Sequence, residues 1–354
     1  MNFDELMMFR CLEQAALGRG MVAPNPMVGC VITYHDKIIS ESYHKAYGSL
    51  HAEPNAINQI TDQSIFKDCT LYVNLEPCAH HGKTPPCANL IAEHQFKRVV
   101  IGCTDSFTEV NGRGIEILRN AGIDLSIGVL EKKCRDLNKR FFTSVEKERP
   151  YIILKWAQSK DGFIGQAAKP NLKISNDLSR QLTHLWRSQE QAIIVGTNTA
   201  LIDNPSLTTR MVKGKNPTRF VIDLNNKIPN ESQLLTDDEP CFLFTSKPRV
   251  DSLKPQKMAI EIDVSLDITK GIVAQLHQHK IQSIIIEGGA ITLQHFIDAG
   301  LWDEARVFYS SVEIESGIVA PLLKENVVSS EMNIDDAHSN DTLVVYQNSQ
   351  ELFR

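Results

Sequence analysis

The chain has 354 residues, 42% of them hydrophobic and 23% charged, with a formal net charge of −6. That length suits two domains of ~150 to 200 residues each, and the acidic balance excludes a dedicated nucleic-acid binder, which needs a basic face to neutralise phosphates. No apolar run approaches the ~18 residues of a membrane span, so a cytoplasmic protein without membrane partners is expected.

In chain order, MNFDELMMFRCLEQAALGRG sets Phe3, Met7, Cys11 and Ala15 at helical spacing and reads as an amphipathic helix, not as a signal peptide. MVGCVITY (27–34) and IISESY (38–43) read as a hairpin, and TLYVNLE (70–76), RVVIGC (98–103) and DLSIGV (124–129) as further strands with helical patterns between them. This alternation predicts an α/β layered domain. EKKCRDLNKRFFTSVEKERP is expected to form one long charged helix running to Pro150, after which YIILKWAQ opens a new strand. The boundary is therefore placed at 146/147, giving domains 1–146 and 147–354. Beyond it AIIVG (192–196), TRFVID (218–223), CFLFTS (241–246), SIIIEGG (283–289) and EARVFYS (304–310) read as strands, with helices near 177–187, 266–279 and 290–299.

Eight cysteines without a secretion signal imply reduced thiols, and Cys30, Cys69 and Cys103, inside or beside apolar runs, are expected in the core. Cys78 and Cys87 differ from these. In EPCAHHGKTPPCA (76–88), a proline ends the apolar run just before Cys78, and Cys87 stands where CANLIAEHQF begins a helix, whose dipole favours a thiolate. Upstream, HAEPNAI (51–57) pairs His51 with Glu53, and Pro54 suits a first helical turn. His-x-Glu followed by Pro-Cys and a second cysteine is the zinc-deaminase pattern. One imidazole and two thiolates hold Zn²⁺ and leave a fourth position for water, while a glutamate outside the coordination shell moves protons. His80 and His81 are rival ligands by type, and a closed structural zinc site with Glu53 idle is the other alternative.

PNPMVGCVI (24–32), HxxYGxxHAE (44–53), LEPCAHHGKTPPC (75–87) and NGRGIEILRNAGI (111–123) resemble the bifunctional riboflavin-biosynthesis deaminase/reductase family. The resemblance implies a cytidine-deaminase-like α/β/α zinc domain followed by a dihydrofolate-reductase-like α/β domain; a homo-oligomer is expected besides. It implies His51, Cys78 and Cys87 as ligands of one Zn²⁺ and Glu53 as proton shuttle. Asn25, His44, His80, Lys83 and Thr84 would line the pocket for a diaminopyrimidinone ribosyl phosphate, which loses ammonia. Where the family commonly has Asp-Pro-Asn-Pro, this chain reads DSFTEV from Asp105.

In the second half no GxGxxG follows a strand, so a Rossmann site is not supported. EGGA (287–290) joins a strand to a helix, where paired glycines admit a phosphate or merely make a tight turn. YIILKWAQSKDGFI, HLWRSQEQAIIVGTNTALIDNPSLTTR and IIIEGGA resemble the family's NADPH-dependent reductase domain, which reduces the ribosyl group to a ribityl chain. That implies Lys155 and Asp203 nearest the chemistry, and Asn171, Arg187, Leu207, Arg210 and Glu287 on the substrate. Ala157, Lys173, Thr199, Asp203, Leu224 and the run Gly289, Ala290, Ile291, Thr292, Leu293, Gln294 and His295 would hold NADPH. Asn171 and Lys173 stand where the family often has serine and tryptophan. The competing readings are a tRNA-type zinc deaminase with a degenerate second domain, and a zinc-stabilised scaffold without activity.

Overall fold

Helix α1 (Phe3–Ala16) starts at a reciprocal cap: the Asn2 side chain accepts the Glu5 N–H, and the Glu5 carboxylate accepts the Asn2 N–H. The computed structural model describes residues 1–79, 85–106, 111–249, 253–324, 326–336 and 340–349, and the chain divides into two compact units, Met1–Glu148 and Arg149–Arg354.

In the first unit β1 (Gly29–Tyr34) and β2 (Lys37–Tyr43) form the expected hairpin. His35 and Asp36, both at positive φ, make the two-residue turn between them, a geometry whose twist suits antiparallel strands. With β3 (Cys69–Leu75), β4 (Arg98–Cys103) and β5 (Asp124–Ile127) the sheet order is β2-β1-β3-β4-β5, parallel from β3 onward. Strand alternation divides the apolar side chains between two layers. Ile32, Leu71, Val73, Val99 and Ile101 pack with residues of α2 (Ala52–Ile57), α3 (Cys87–Glu93) and α4 (Arg113–Asn120). Val31, Tyr72 and Val100 face Met7, Met8 and Cys11 of α1 and Cys134 of α5 (Glu131–Leu137). Cys30, Cys69 and Cys103 are free, buried thiols, as their apolar surroundings imply.

The expected single charged helix is two: α5 is followed by α6 (Lys139–Glu146), with the break at Asn138. The buried Asn138 amide accepts the Met27 N–H at 2.8 Å and donates to the Met27 carbonyl at 2.9 Å. A pairing with a residue 111 positions away thus interrupts a segment whose local propensity is helical throughout.

Close approach of α1 to β1 depends on Gly29, where a Cβ would sit 2.1 Å from the Cys11 carbonyl oxygen and 2.7 Å from the Ala15 nitrogen. Both obstacles are helix backbone and cannot rotate away. We expect Gly29→Ala to destabilise this unit by about 3 kcal/mol in urea melts, at the upper end of ordinary overpacking.

The second unit holds β6 (Tyr151–Gln158), α7 (Asp177–Gln189), β7 (Ala192–Gly196), α8 (Thr197–Asp203), β8 (Thr218–Ile222), α9 (Gln233–Thr236) and β9 (Cys241–Thr245). There follow β10 (Lys257–Glu261), α10 (Ile268–Gln278), β11 (Ser283–Gly288), α11 (Ala290–Asp298), β12 (Glu304–Ser310), β13 (Asn326–Asp335) and β14 (Asn340–Asn348). The sheet order is β10-β9-β8-β7-β11-β6-β12-β14-β13, parallel as far as β12 and antiparallel beyond it. Strands β6, β7 and β11 are buried on both faces, Ile152, Leu154, Ile194, Ile284 and Ile286 on one and Ile153, Ile193, Val195 and Ile285 on the other. That is why they read as unbroken apolar runs. β10, β13 and β14 carry no such signal, and nearly every side chain of β13 is exposed. The expected α/β class holds for both units.

Candidate metal centre and reductase site

Strand β3 ends at Leu75, and the chain turns through Glu76 and Pro77 to reach Cys78. The buried Glu76 carboxylate fixes this turn by accepting four backbone N–H groups, from Asp105, Gly112, Gly114 and Ile115, at 3.0–3.3 Å. Cys87 opens α3, and its own N–H donates to Cys78 Sγ at 3.3 Å. His51 is the residue that precedes α2, so its ring enters from the helix start while Glu53 lies in the first turn.

These three elements bring His51 Nδ1 to 3.6 Å from Cys78 Sγ and 3.4 Å from Cys87 Sγ. All three donor atoms lie within 4.8 Å of one another, and no other group of three or more potential ligands does so among the described residues. A tetrahedral zinc with its usual bond lengths to sulfur and nitrogen requires N···S edges of about 3.6 Å. The donor set therefore fits zinc in both type and spacing. Hydrogen bonding from the Cys87 thiol, opposed by burial and aided by His51, holds the Cys78 thiol well below its ordinary range, and Cys87 is driven up in turn. One sulfur is thus already predisposed to be a thiolate.

Glu53 is buried, and its Oε2 has no hydrogen-bond partner. Burial pushes its carboxyl up to about 7, with Cys78 adding to the shift and His51 opposing it. A carboxylate two positions beyond a ligand, poised near neutrality, can take up a proton and return it. Asn25 and His44 hydrogen-bond each other beside this centre, the His44 ring lying 5.2 Å edge-on from that of His51. His80, Lys83 and Thr84, and the rival ligand His81, lie outside the described residues.

In the second unit Lys155 on β6 and Glu287 on β11 stand on adjacent parallel strands, one residue past the paired Leu154 and Ile286. Arg187 from α7 reaches Glu287 through two hydrogen bonds of 2.7 Å and donates a third to the Thr208 carbonyl at 3.2 Å. Burial lowers the Lys155 ammonium below its ordinary range, with Glu287 opposing. The Glu287 carboxylate is held down by Arg187 against the effect of burial. Arg210 hydrogen-bonds Ser206 and Thr208, and its backbone N–H donates to His184 Nδ1 at 3.1 Å. Burial, aided by Arg187 and Arg210, pushes His184 down to about 4, so it stays neutral at ordinary pH. His184, by itself expected to be a satisfied structural histidine, precedes Arg187 by three positions on one helix and so shares its face.

Other expected residues fall elsewhere. The Asp203 carboxylate accepts the Asn171 N–H at 3.0 Å, and no hydrogen bond or ion pair joins it to Lys155 among the described residues. Lys173 stands 3.7 Å from Asp177 in an exposed pair. Leu207 and Leu293 are core residues, and the Leu293 N–H is spent on the Gly289 carbonyl. Leu224 follows β8, and its carbonyl accepts the Ser246 hydroxyl at 2.6 Å. Ala157 pairs with Phe308 inside the sheet. Gln294 bonds Asp298 and Leu322, and Ile291 and His295 are exposed. Gly289, at φ +68, turns the chain from β11 into α11 and Ala290, and a Cβ there would stand 3.2 Å from Thr199 Oγ1 and 4.0 Å from Thr292 Oγ1. Two threonine hydroxyls thus converge on a glycine at a helix start, the kind of terminus whose backbone N–H groups favour an anion.

Comparison with known proteins agrees with this division. Residues 1–103 match the cytidine and deoxycytidylate deaminase zinc-binding region, and residues 150–314 match the RibD C-terminal domain. Riboflavin biosynthesis protein RibD of Aquifex aeolicus is 36% identical over 320 residues, covering 90% of this chain and 89% of the relative. The Escherichia coli protein of that name is 33% identical, with 86% and 87% covered. Among solved structures, a diaminohydroxyphosphoribosylaminopyrimidine deaminase/5-amino-6-(5-phosphoribosylamino)uracil reductase from Thermotoga maritima superposes with a TM-score of 0.89 at 33% identity, covering 98% of this chain and 99% of that one. Acinetobacter baumannii RibD gives a TM-score of 0.86 at 30% identity, with 98% and 99% covered.

Proposed function

Because the chain belongs to the family of the riboflavin biosynthesis protein RibD, and is a bifunctional deaminase and reductase of that pathway, we propose a specific division of labour between its two units. The first hydrolytically deaminates a diaminopyrimidinone ribosyl phosphate, and the second uses NADPH to reduce the ribosyl group to a ribityl chain. The match of residues 150–314 to the RibD C-terminal domain supports a working reductase over the degenerate second half of a tRNA-type deaminase. No helix among the described residues is long and apolar enough to cross a membrane. The reading includes a small-molecule substrate met in the cytoplasm by a homo-oligomer.

The observation that carries the deaminase reading is the tripod of His51, Cys78 and Cys87 beside a buried Glu53 with an unpartnered oxygen. A zinc ion held there supplies Lewis acidity and a water of lowered pKa. With zinc held there, Glu53 would take up a proton on its unpartnered Oε2 and return it to the departing amine, since burial raises its carboxyl toward the range where both directions are accessible. Asn25 orients the substrate at the rim of the site. In the second unit the Arg187–Glu287 pair presents a rigid polar edge, and Lys155 sets a cation beside it. Arg210, with Ser206 and Thr208, offers donors for a substrate phosphate. NADPH supplies hydride when bound, and the Gly289 turn with Thr199 and Thr292 is where we place its phosphates.

The test assays ammonia release and NADPH oxidation on this substrate. One ammonia and one NADPH are expected per substrate consumed. A chelator should abolish ammonia release while leaving NADPH oxidation on already deaminated substrate intact. Ammonia release without any NADPH oxidation would sink the two-step reading.

A further inference from the structure

The resemblance implies that Asn25 and His44 both line the substrate pocket, but their geometry separates their work. His44 is only 2% exposed, and both of its ring nitrogens are engaged by protein groups. Nδ1 lies 3.0 Å from the Leu50 carbonyl oxygen, which can only accept, so Nδ1 carries the proton. Nε2 of the neutral ring is then an acceptor, and its partner at 3.1 Å is the Asn25 side-chain amide, which must donate through Nδ2. This decides which way round the Asn25 amide sits. Its Nδ2 is committed to His44, and Oδ1 is turned the other way.

The anchor is itself held. The Leu50 carbonyl also accepts the Asn55 side-chain amide at 3.1 Å, and Asn55 belongs to α2, the helix that carries Glu53. Asn55 Nδ2 also stands 3.3 Å from the Tyr43 carbonyl, at the end of β2 next to His44. A chain of polar contacts therefore runs from the catalytic helix through Leu50 and His44 to Asn25.

We propose that His44 is a positioning residue rather than a substrate contact: it pins the Asn25 amide so that Oδ1 is presented to the substrate as an acceptor for one N–H or O–H donor. The inference deepens the reading above and rests on deamination at this site. A freely rotating amide could offer either its oxygen or its nitrogen. A pinned one leaves a ligand acceptor facing Oδ1 unsatisfied, which discriminates by roughly 10- to 100-fold.

The test uses the zinc-loaded full-length protein as wild type, His44→Gln, His44→Phe, Asn25→Ala and the double variant His44→Phe/Asn25→Ala. Glutamine can place an accepting oxygen where Nε2 stands, so His44→Gln should keep KM within about 3-fold, whereas His44→Phe should raise KM about 10-fold with kcat nearly held. Because His44 acts through Asn25, the double variant should be no worse than Asn25→Ala alone. Losses that multiply would make His44 an independent contact and overturn the proposal. Loss of zinc in His44→Gln would also overturn it, since the ring would then serve His51. Long-range ¹H–¹⁵N spectra of the wild type, with the His44 signal identified by its disappearance in His44→Gln, should show Nδ1 alone protonated. Protonation at Nε2 defeats the proposal whether or not His44→Phe folds. Ammonia release with the wrong tautomer defeats the His44 assignment alone, and the expected tautomer without ammonia release defeats the functional reading beneath it.

Discussion

Glu53→Gln is expected to lower the rate of ammonia release by about 10²- to 10⁴-fold, the usual contribution of a positioned general acid and base. Zinc content should stay at that of the wild type. The substitution conserves shape at a side chain whose Oε2 has no hydrogen-bond partner, so no protein contact of that atom is broken. The three metal-binding atoms are held by other means: His51 by its place at the start of α2, Cys78 by the turn that Glu76 secures, and Cys87 by α3. NADPH oxidation on already deaminated substrate should be unchanged. A variant that loses zinc along with activity would show Glu53 to be structural, and one that keeps full activity would remove it from the chemistry. Metal analysis beside an ammonia assay separates the three outcomes.

Arg187→Leu should destabilise the second unit by about 3–5 kcal/mol, because it leaves a largely buried carboxylate without its guanidinium partner. The paired side chains are only 12% and 8% exposed, and the guanidinium meets Glu287 with both of its prongs. Lys155 and His184 also lie near Glu287, but among the described residues neither forms a hydrogen bond or ion pair with its carboxylate, and His184 is held neutral. For a domain of this size the loss corresponds to a fall in Tm of roughly 6–20 °C. The double variant Arg187→Leu/Glu287→Gln should recover part of it, since the uncompensated charge is gone. Calorimetry of the zinc-loaded protein can follow this, with the transition that responds to a chelator marking the first unit. NADPH oxidation should be lost in the single variant while ammonia release persists. If the double variant melts lower than the single one, the charge is not the cause.

Much of the first site was legible because its information is local. His-x-Glu at a helix start, Pro-Cys after an apolar run and a cysteine opening the next helix each describe a few neighbouring residues, and each element formed where its own pattern placed it. The same holds for the hairpin at His35-Asp36 and for the buried parallel strands. The reductase pocket was less legible. Sequence does not show that the Asn171 N–H bonds the Asp203 carboxylate, or that the Leu293 side chain packs into the core. Helical spacing puts every residue of 289–295 on some face, and only the packing of α11 decides which face is dry.

The sequence by itself determined the α/β class, the donor atoms of the metal centre and the acid beside them, since hydrophobic period, turn chemistry and ligand type act over a handful of residues. Tertiary structure alone decided the break at Asn138, the pairing of Arg187 with Glu287 and the direction in which Asn25 points. Each of these is a polar group satisfied by a partner far along the chain, 111, 100 and 19 residues away respectively. A buried polar group must find a hydrogen-bond partner or bear the cost of desolvation. Which partner it finds depends on what folding brings within 3 Å or so, and no short-range pattern carries that information.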